Sequence, residues 1–256
     1  MKNLLGGIAI STLLAAPGFA ADLPARMPVK APPPVVAAVY NWTGFYIGGH
    51  VGYASGRSKT DVLPPDALDC GGGPSCESVS HSVRGAFGGA HAGYNWQVNA
   101  IVFGVEVEGG YIGAKGTAFS PTTPDHFYST KYGAYGAFTG RLGIAIDRVL
   151  FYGKGGAVVA HIKNEAFDDF PTPDPEHLGR KSGARLGWTA GGGIEYAFNS
   201  NWTARAEYLY MRFKRETVFD VGDAGADPSP YNFHNHLHTG RFGLTYKFGG
   251  PVVARY

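Results

Sequence analysis

The sequence predicts an all-β fold, an eight-stranded antiparallel transmembrane β-barrel with short periplasmic turns and long external loops. Three observations support this prediction. Short segments alternate between apolar and small or polar residues, and the connections between them are alternately long and short. Gly residues number 39, about twice the usual share, and aromatic residues make up 14%. Alternating long and short connections across an even number of strands are typical of outer-membrane barrels.

Eight strands are predicted after residue 43, each bounded by residues that favour turns. They are Gly44–Tyr53, Ala86–Trp96, Ala100–Ile112, Tyr132–Ile146, Val149–His161, Ala184–Phe198, Trp202–Phe213 and His236–Phe248. The long connections are Ala54–Gly85, Gly113–Lys131, Ile162–Gly183 and Lys214–Asn235. The short connections, which suit hairpin turns, are Gln97–Asn99, Asp147–Arg148 and Asn199–Asn201.

Side-chain alternation is clear in the last predicted strand, where Phe242 and Leu244 share one face and Arg241 and Thr245 the other. The polar faces consist mainly of Gly, Ala and Thr with one or two charges, and a narrow barrel can hold such small residues inside. A soluble sandwich would carry Lys and Glu freely on its polar face. In the fifth strand both faces carry apolar and small residues, so its inward face stays ambiguous.

Aromatic residues lie near the strand ends, where barrels carry girdles at the membrane interfaces. The predicted girdle residues are Tyr53, Trp96, Tyr111, Tyr132, Tyr152, Tyr196, Trp202 and Tyr210.

Composition argues against several other classes of protein. Charged residues make up 16% of the chain, below the roughly 25% of soluble domains. The net charge is +2 and the charges are spread along the chain, so no nucleic-acid partner is predicted. Two Cys exclude a disulfide-rich scaffold and a four-Cys zinc site.

Residues 1–20 have the layout of a secretory signal peptide. Lys2 gives a positive start, residues 4–16 are apolar, and the small residues Gly18 and Ala20 precede a cleavage point. Residues 21–43 carry five prolines and are predicted to form a periplasmic linker. The barrel is predicted to occupy residues 44–248, and residues 249–256 form a C-terminal extension.

Three stretches resemble a known family. They are Asn41–Gly49 (NWTGFYIGG), Ala206–Tyr210 (AEYLY) and Leu244–Phe248 (LTYKF). In this order they resemble the outer-membrane immunogenic protein or porin family of alphaproteobacteria, a branch of the OmpA-type eight-stranded barrels. The resemblance covers residues 40–248 and implies an outer-membrane location, a surface antigen and a structural role without catalytic residues. It also implies that the barrel-assembly machinery reads a terminal aromatic, which is Phe248 or Tyr256.

Inward charges are predicted to meet at one level of the barrel. Several lie six or seven residues from a periplasmic strand end, which is about 14 Å above it and half-way through the hydrocarbon core. The predicted interior network is Glu106, Glu108, Arg141, Glu195, Arg205, Glu207 and Arg241, with Lys154 as a further candidate. Unpaired charges there would be costly, so salt bridges are expected. An eight-stranded barrel is just wide enough for its side chains to fill, which favours a filled interior over an open channel.

Two groups of possible ligands lie toward the external side. Cys70 and Cys76 fall in the first long connection and are predicted to form a local disulfide, because an exported chain meets an oxidising compartment. Metal binding by the two thiols is the alternative. His234, His236 and His238 share one face and form either a polar rim or a zinc or copper site.

The sequence therefore predicts a structural surface protein of the bacterial outer membrane, exported by a cleaved signal peptide, with no cofactor. A small diffusion pore for hydrophilic solutes and a lipid-modifying enzyme are the alternatives. No G-x-S-x-G motif is present. Predicted partners are outer-membrane lipid and lipopolysaccharide, the barrel-assembly machinery, and either peptidoglycan or a host surface.

Overall fold

The computed structural model describes residues 40–62, 77–119, 126–168, 176–219 and 230–249. Its β-segments are β1 (Gly44–Val62), β2 (Glu77–Val98), β3 (Ile101–Ile112), β4 (Lys115–Phe119), β5 (His126–Ile146), β6 (Val149–Asp168), β7 (Glu176–Ala197), β8 (Trp202–Phe213), β9 (Glu216–Phe219) and β10 (Pro230–Lys247). β4 follows β3 after two residues and pairs with the same neighbour, β5, while β9 follows β8 and likewise pairs with β10. The ten segments therefore occupy eight strand positions.

These eight positions form a closed antiparallel ring. The hydrogen-bonded order is β1, β10, β8, β7, β6, β5, β3 and β2, and β2 pairs again with β1. Val51 on β1, for example, pairs with Phe242 on one side and Gly88 on the other. Closure removes the open sheet edges, whose unpaired backbone groups could not be tolerated in lipid. The predicted eight-stranded antiparallel barrel is confirmed.

Tight turns join the strands at the periplasmic end. Asn99 and Asp147 each begin a two-residue turn and take positive φ angles of 55° and 51°, a conformation that Asn and Asp tolerate. At the β7–β8 turn, Asn199 Oδ1 accepts hydrogen bonds from the backbone N–H groups of Asn201 and Trp202, at 2.9 and 2.8 Å. At these turns the strands end within two residues of their predicted ends.

On the opposite, external side the strands are longer than predicted. β1 continues to Val62 instead of ending at Tyr53, and β2 begins at Glu77 instead of Ala86. β4 and β9 also lie within predicted connections. On β1 the sequence signal fades because polar residues occupy both faces in the stretch Arg57–Asp61. On β2 the buried Val79 and Val83 continue the alternation beyond the predicted start of the strand. Backbone pairing nevertheless continues in the register set lower in the barrel.

Some predicted features lie outside the described residues. These are the signal peptide, residues 21–39 of the linker, Cys70 and Cys76, and residues 250–256 of the extension. The disulfide therefore stays a prediction.

The outer surface carries an apolar belt. On β3 the exposed side chains Ile101, Phe103, Val105, Val107 and Tyr111 all point outward. Ten residues at a tilt near 45° rise about 23 Å, close to the ~25 Å belt of outer-membrane barrels. No helix in the described ranges is long and apolar enough to cross a membrane.

Two of the predicted girdle residues are not on this surface. Tyr132 and Tyr152 are buried and point into the barrel, so their assignment to the girdle is wrong. Tyr132 lies at an irregularity in the β5–β6 pairing, where the register shifts between Tyr132 and Tyr135. Tyr152 lies on β6, the predicted fifth strand, which carries apolar and small residues on both faces. Neither position could be assigned reliably by simple alternation.

The interior is arranged in layers. An apolar floor near the turns contains Trp42, Val102 and Leu150. An upper apolar layer toward the external side includes Ala54, Val83, Phe87, Ile112, Tyr132, Tyr135, Val158, Leu209, Met211, Phe213 and Leu237. Charged residues fill the level between these two layers.

Candidate functional site

The charged level contains four acids and four bases, all of them buried. The acids are Glu106, Glu108, Glu195 and Glu207, and the bases are Arg141, Lys154, Arg205 and Arg241. β3, β7 and β8 supply the acids, whereas β5, β6, β8 and β10 supply the bases. The set consists of the seven predicted interior charges and Lys154, and its formal charges sum to zero.

Lys154 lies at the centre of the network. Its Nζ is 2.5 Å from Glu106 Oε1, 2.8 Å from Glu108 Oε2 and 3.8 Å from Glu207 Oε1. Its side chain is 0% exposed. Gly153 and Gly155 flank it on β6, so the alternation of side chains along that strand does not indicate which face Lys154 occupies. One ammonium group therefore lies within ion-pair distance of three carboxylates, two from β3 and one from β8.

Two arginines complete the pairing of these carboxylates. Arg205 donates to Glu106 through Nη1 at 2.7 Å and Nη2 at 3.3 Å. Arg241 donates to Glu108 through Nη2 at 2.8 Å and Nη1 at 3.1 Å, and to Glu207 through Nε at 2.6 Å. Forked pairs of this kind are among the stronger protein hydrogen bonds and fix geometry as well as charge.

Arg141 and Glu195 form a second centre. Arg141 Nη1 lies 3.0 Å from Glu195 Oε2, and Thr203 Oγ1 donates to the other carboxylate oxygen at 2.5 Å. The guanidinium of Arg141 also lies 4.7 Å from the ring centre of Tyr46 and 5.1 Å from that of Tyr152. Cation–π contacts gain strength when they are desolvated.

The two tyrosines connect the two centres. The hydroxyl of Tyr46 donates to Glu106 at 2.9 Å, and that of Tyr152 donates to Glu207 at 2.8 Å. Arg141 Nε donates to Asn95 Oδ1 at 2.8 Å. These neutral partners were not predicted from the sequence. The sequence contained one indication of the inward position of Tyr46. It lies on the same face of β1 as Gly48 and the buried His50, because the three are alternate residues.

Two histidines add further polar contacts on β1 and β2. His50 Nδ1 and His91 Nδ1 are 3.3 Å apart, and His50 Nε2 is 2.6 Å from the hydroxyl of Tyr135. His91 Nε2 is 3.0 Å from Thr245 Oγ1. With these contacts, polar side chains from all eight strand positions meet at this level.

The chain before β1 packs into the periplasmic end. The backbone N–H of Trp42 donates to Gln97 Oε1 at 2.7 Å, and its indole is 1% exposed. Lys247 Nζ lies 4.7 Å from the ring centre of Tyr40 and donates to the carbonyl oxygen of Asn41. Tyr40 and Trp42 thus form part of the barrel floor.

The external histidines are separate from this network. His238 Nδ1 lies 2.6 Å from the hydroxyl of Tyr208, and His234 Nε2 lies 3.5 Å from Asp61 Oδ2. Burial, followed by the nearby Arg215, lowers the pKa of His234, which favours its uncharged form. Within the part of the chain that the structure describes, no group of three or more His, Cys, Asp or Glu side chains is placed to hold a metal ion.

Closed antiparallel topology, an apolar belt and inward charges together define an outer-membrane β-barrel protein. The sequence matches the outer membrane protein beta-barrel domain family over residues 11–248. The chain therefore belongs to this family, and with it to the outer-membrane immunogenic proteins of alphaproteobacteria. Its location is the outer membrane.

Three known proteins illustrate the relationship. The 31 kDa outer-membrane immunogenic protein of Brucella melitensis biotype 1 is 34% identical, over 93% of this chain and 97% of the relative. A 22 kDa outer membrane protein of Rhizobium leguminosarum bv. viciae is 30% identical, over 75% of this chain and 73% of the relative. The crystal structure of the outer membrane protein OprG from Pseudomonas aeruginosa has a TM-score of 0.55 and 13% identity. The superposition covers 82% of this chain and 99% of the OprG chain. At this low identity the similarity shows a shared fold and nothing more.

Proposed function

We propose that this chain is a structural surface protein of the outer membrane whose barrel interior is closed to solutes. The observation that carries the proposal is the layered interior. A charge-neutral network, in which carboxylates and cations satisfy one another, lies between an apolar floor and an upper apolar layer. A hydrophilic solute would have to displace both apolar layers and break ion pairs between them.

The energetics of the network support a structural role. Replacing one partner of a buried ion pair leaves an uncompensated charge and costs about 3–5 kcal/mol. Opening a passage between Lys154 and its carboxylates would expose several such groups together. The network therefore opposes opening and fixes the relative positions of strands that are not neighbours in the ring.

A small diffusion pore is the second candidate, and unpartnered polar atoms inside the barrel favour it. Near the floor these are the hydroxyl of Tyr40 and the indole N–H of Trp42, and toward the external end they include His81. Ordered water can satisfy such groups. Arg205 Nε, within the charged level, also lacks a hydrogen-bond partner among the described residues, although Glu207 Oε2 lies 3.5 Å away. Water near the floor and water near the external end would nevertheless lie in separate chambers, because the ion pairs of Lys154, Arg241 and Arg141 lie between them. No observation favours the lipid-modifying enzyme.

Solute flux tests the closed interior. Proteoliposomes containing the folded protein are placed in isotonic solutions of sugars of increasing size, with a general porin at equal protein density as the positive control. We expect swelling at the rate of protein-free liposomes. Swelling whose rate falls with sugar size would overturn the closed interior in favour of the pore.

The structural role is tested in the source bacterium. Deletion of the gene should sensitise cells to detergent, and the intact gene should restore resistance. The strands extend well beyond the apolar belt, so the proposed contacts with neighbouring cells or hosts would be made by this external part. Unchanged detergent sensitivity after deletion would contradict an envelope role.

A further inference from the structure

The outer surface carries a row of four positively charged residues just above the apolar belt. Arg84 on β2 pairs with Lys115 on β4, Lys115 pairs with Lys131 on β5, and Lys131 pairs with Lys163 on β6. All four point outward, because the side chains next to them along their strands are buried inside the barrel. These buried neighbours are Val83, Ala114, Thr130, Tyr132, Ile162 and Asn164. We call this set the cation row.

The cation row is unfavourable for the isolated protein. Directly opposed side chains on antiparallel strands lie about 4.5–5.5 Å apart, and like charges there are destabilising. Glu165 compensates part of the row, because its carboxylate lies 2.5 Å from Lys163 Nζ and 3.8 Å from Lys131 Nζ. Arg84 and Lys115 are exposed and make no ion pair with any residue in the described ranges. Half of the row therefore lacks a counter-charge there.

The height of the row identifies the source of that counter-charge. Its members lie 14 or 15 residues from the periplasmic ends of their strands, which are Val98, Ile101, Ile146 and Val149. At a tilt near 45° this is about 33 Å, some 8 Å above the top of a ~25 Å apolar belt. The lipid headgroups occupy this level. On β3, Tyr111 is the last large apolar side chain that points outward below Lys115.

We propose that the cation row binds the phosphate groups of lipopolysaccharide, the phosphorylated glycolipid of the outer leaflet. Lys and Arg present several donors to phosphate oxygens, and their apolar stems can lie along the belt while the charged heads remain among headgroups. The row spans about 15 Å at the strand-pair spacing, so it can contact more than one phosphate. This inference needs only the outer-membrane location and does not depend on a closed interior.

Binding of lipid A, the lipid anchor of lipopolysaccharide, to the purified full-length protein tests the proposal. Native mass spectrometry in detergent compares doubly phosphorylated lipid A with the same lipid after dephosphorylation. We expect preferential binding of the phosphorylated form. Each cation near an anionic lipid contributes about 1 kcal/mol, or roughly 5-fold in affinity. The variant Lys115→Gln should therefore bind about 5-fold more weakly and Arg84→Gln/Lys115→Gln about 25-fold more weakly.

Controls separate the row from net charge and from misfolding. Arg148→Gln removes one exposed charge at the periplasmic turn between β5 and β6, and it should bind phosphorylated lipid A like the wild type. Folding is checked by heat-modifiable migration in gels. Without lipid, the double variant should unfold no more easily than the wild type, because it loses a like-charge contact.

The remaining outcomes overturn the proposal. Equal binding of both lipid forms would mean that only the apolar belt holds lipid. Full competition by millimolar inorganic phosphate would mean that the row binds a soluble anion instead. An equal loss of binding in Arg148→Gln would mean that net charge, and not the row, governs binding.

Discussion

Arg241 on β10 and Glu108 on β3 are joined by two hydrogen bonds, of 2.8 and 3.1 Å, although β1 and β2 separate their strands in the ring. The contact crosses the interior and therefore restrains the barrel in a way that neighbouring backbone pairs cannot. The pairs made by Lys154 likewise join β6 to β3 across the interior.

Replacing Arg241 by Met should destabilise the barrel strongly. The change removes the arginine that donates to both Glu108 and Glu207, and truncating one partner of a buried ion pair costs about 3–5 kcal/mol. Urea unfolding in lipid bilayers, followed by tryptophan fluorescence, measures the loss. Arg148→Met, at an exposed turn, should change the free energy of unfolding by less than about 0.5 kcal/mol. Equal stability of both variants would contradict a structural network.

Arg141 and Glu195 should show energetic coupling. Each single variant, Arg141→Met or Glu195→Gln, disrupts the 3.0 Å ion pair and leaves a buried partner without its counterpart. The double variant removes both charges, so its loss should be smaller than the sum of the single losses by about 0.5–3 kcal/mol. A double-mutant cycle of unfolding free energies measures this coupling, and strict additivity would argue against the pair.

Gly93 should not tolerate a side chain. A Cβ added there would overlap with the hydroxyl of Tyr46 and lie 2.5 Å from the carbonyl oxygen of Val105. Gly93→Ala would displace Tyr46 from Glu106, and overpacking of this kind costs roughly 1–3 kcal/mol. Gly240→Ala is the matched control, since nothing lies within 4 Å of its added Cβ. The two variants should differ in urea midpoint by more than experimental error.

His81 should make the external end sensitive to acid. It lies three residues beyond Arg84, above the membrane, and burial lowers its pKa from 6.5 to about 4. Since its folded-state pKa is depressed, the unfolded chain binds the proton first. Stability is therefore complete above pH 6.5 and falls as the pH drops toward 4. His81→Leu should lose less stability than the wild type between pH 7 and 4.5. Identical losses would show that His81 does not contribute.

The sequence was sufficient to predict the parts that depend on simple alternation. Glu106 and Glu108 on β3, Arg205 and Glu207 on β8, and Arg241 on β10 occupy inward positions that counting from the turns identifies. Their strands have one apolar and one polar face, because one faces lipid and the other a narrow interior.

The remaining features depend on information that alternation does not carry. Tyr152 and Lys154 lie on a strand with apolar and small residues on both faces, and Tyr132 adjoins a register irregularity. Trp42 lies before β1, outside any alternating strand pattern. Its burial is apparent only from its packing in the apolar floor of the barrel. The external extension of β1 is polar on both faces, so only its pairing with neighbouring strands reveals it.

Single-channel recording in a planar bilayer tests the closed interior most directly. The folded wild-type protein, with insertion verified independently, should leave the bilayer silent over the physiological voltage range, because paired charges and two apolar layers fill its interior. Stable, reproducible openings of uniform conductance would contradict this account and show that water and ions pass the Lys154 network.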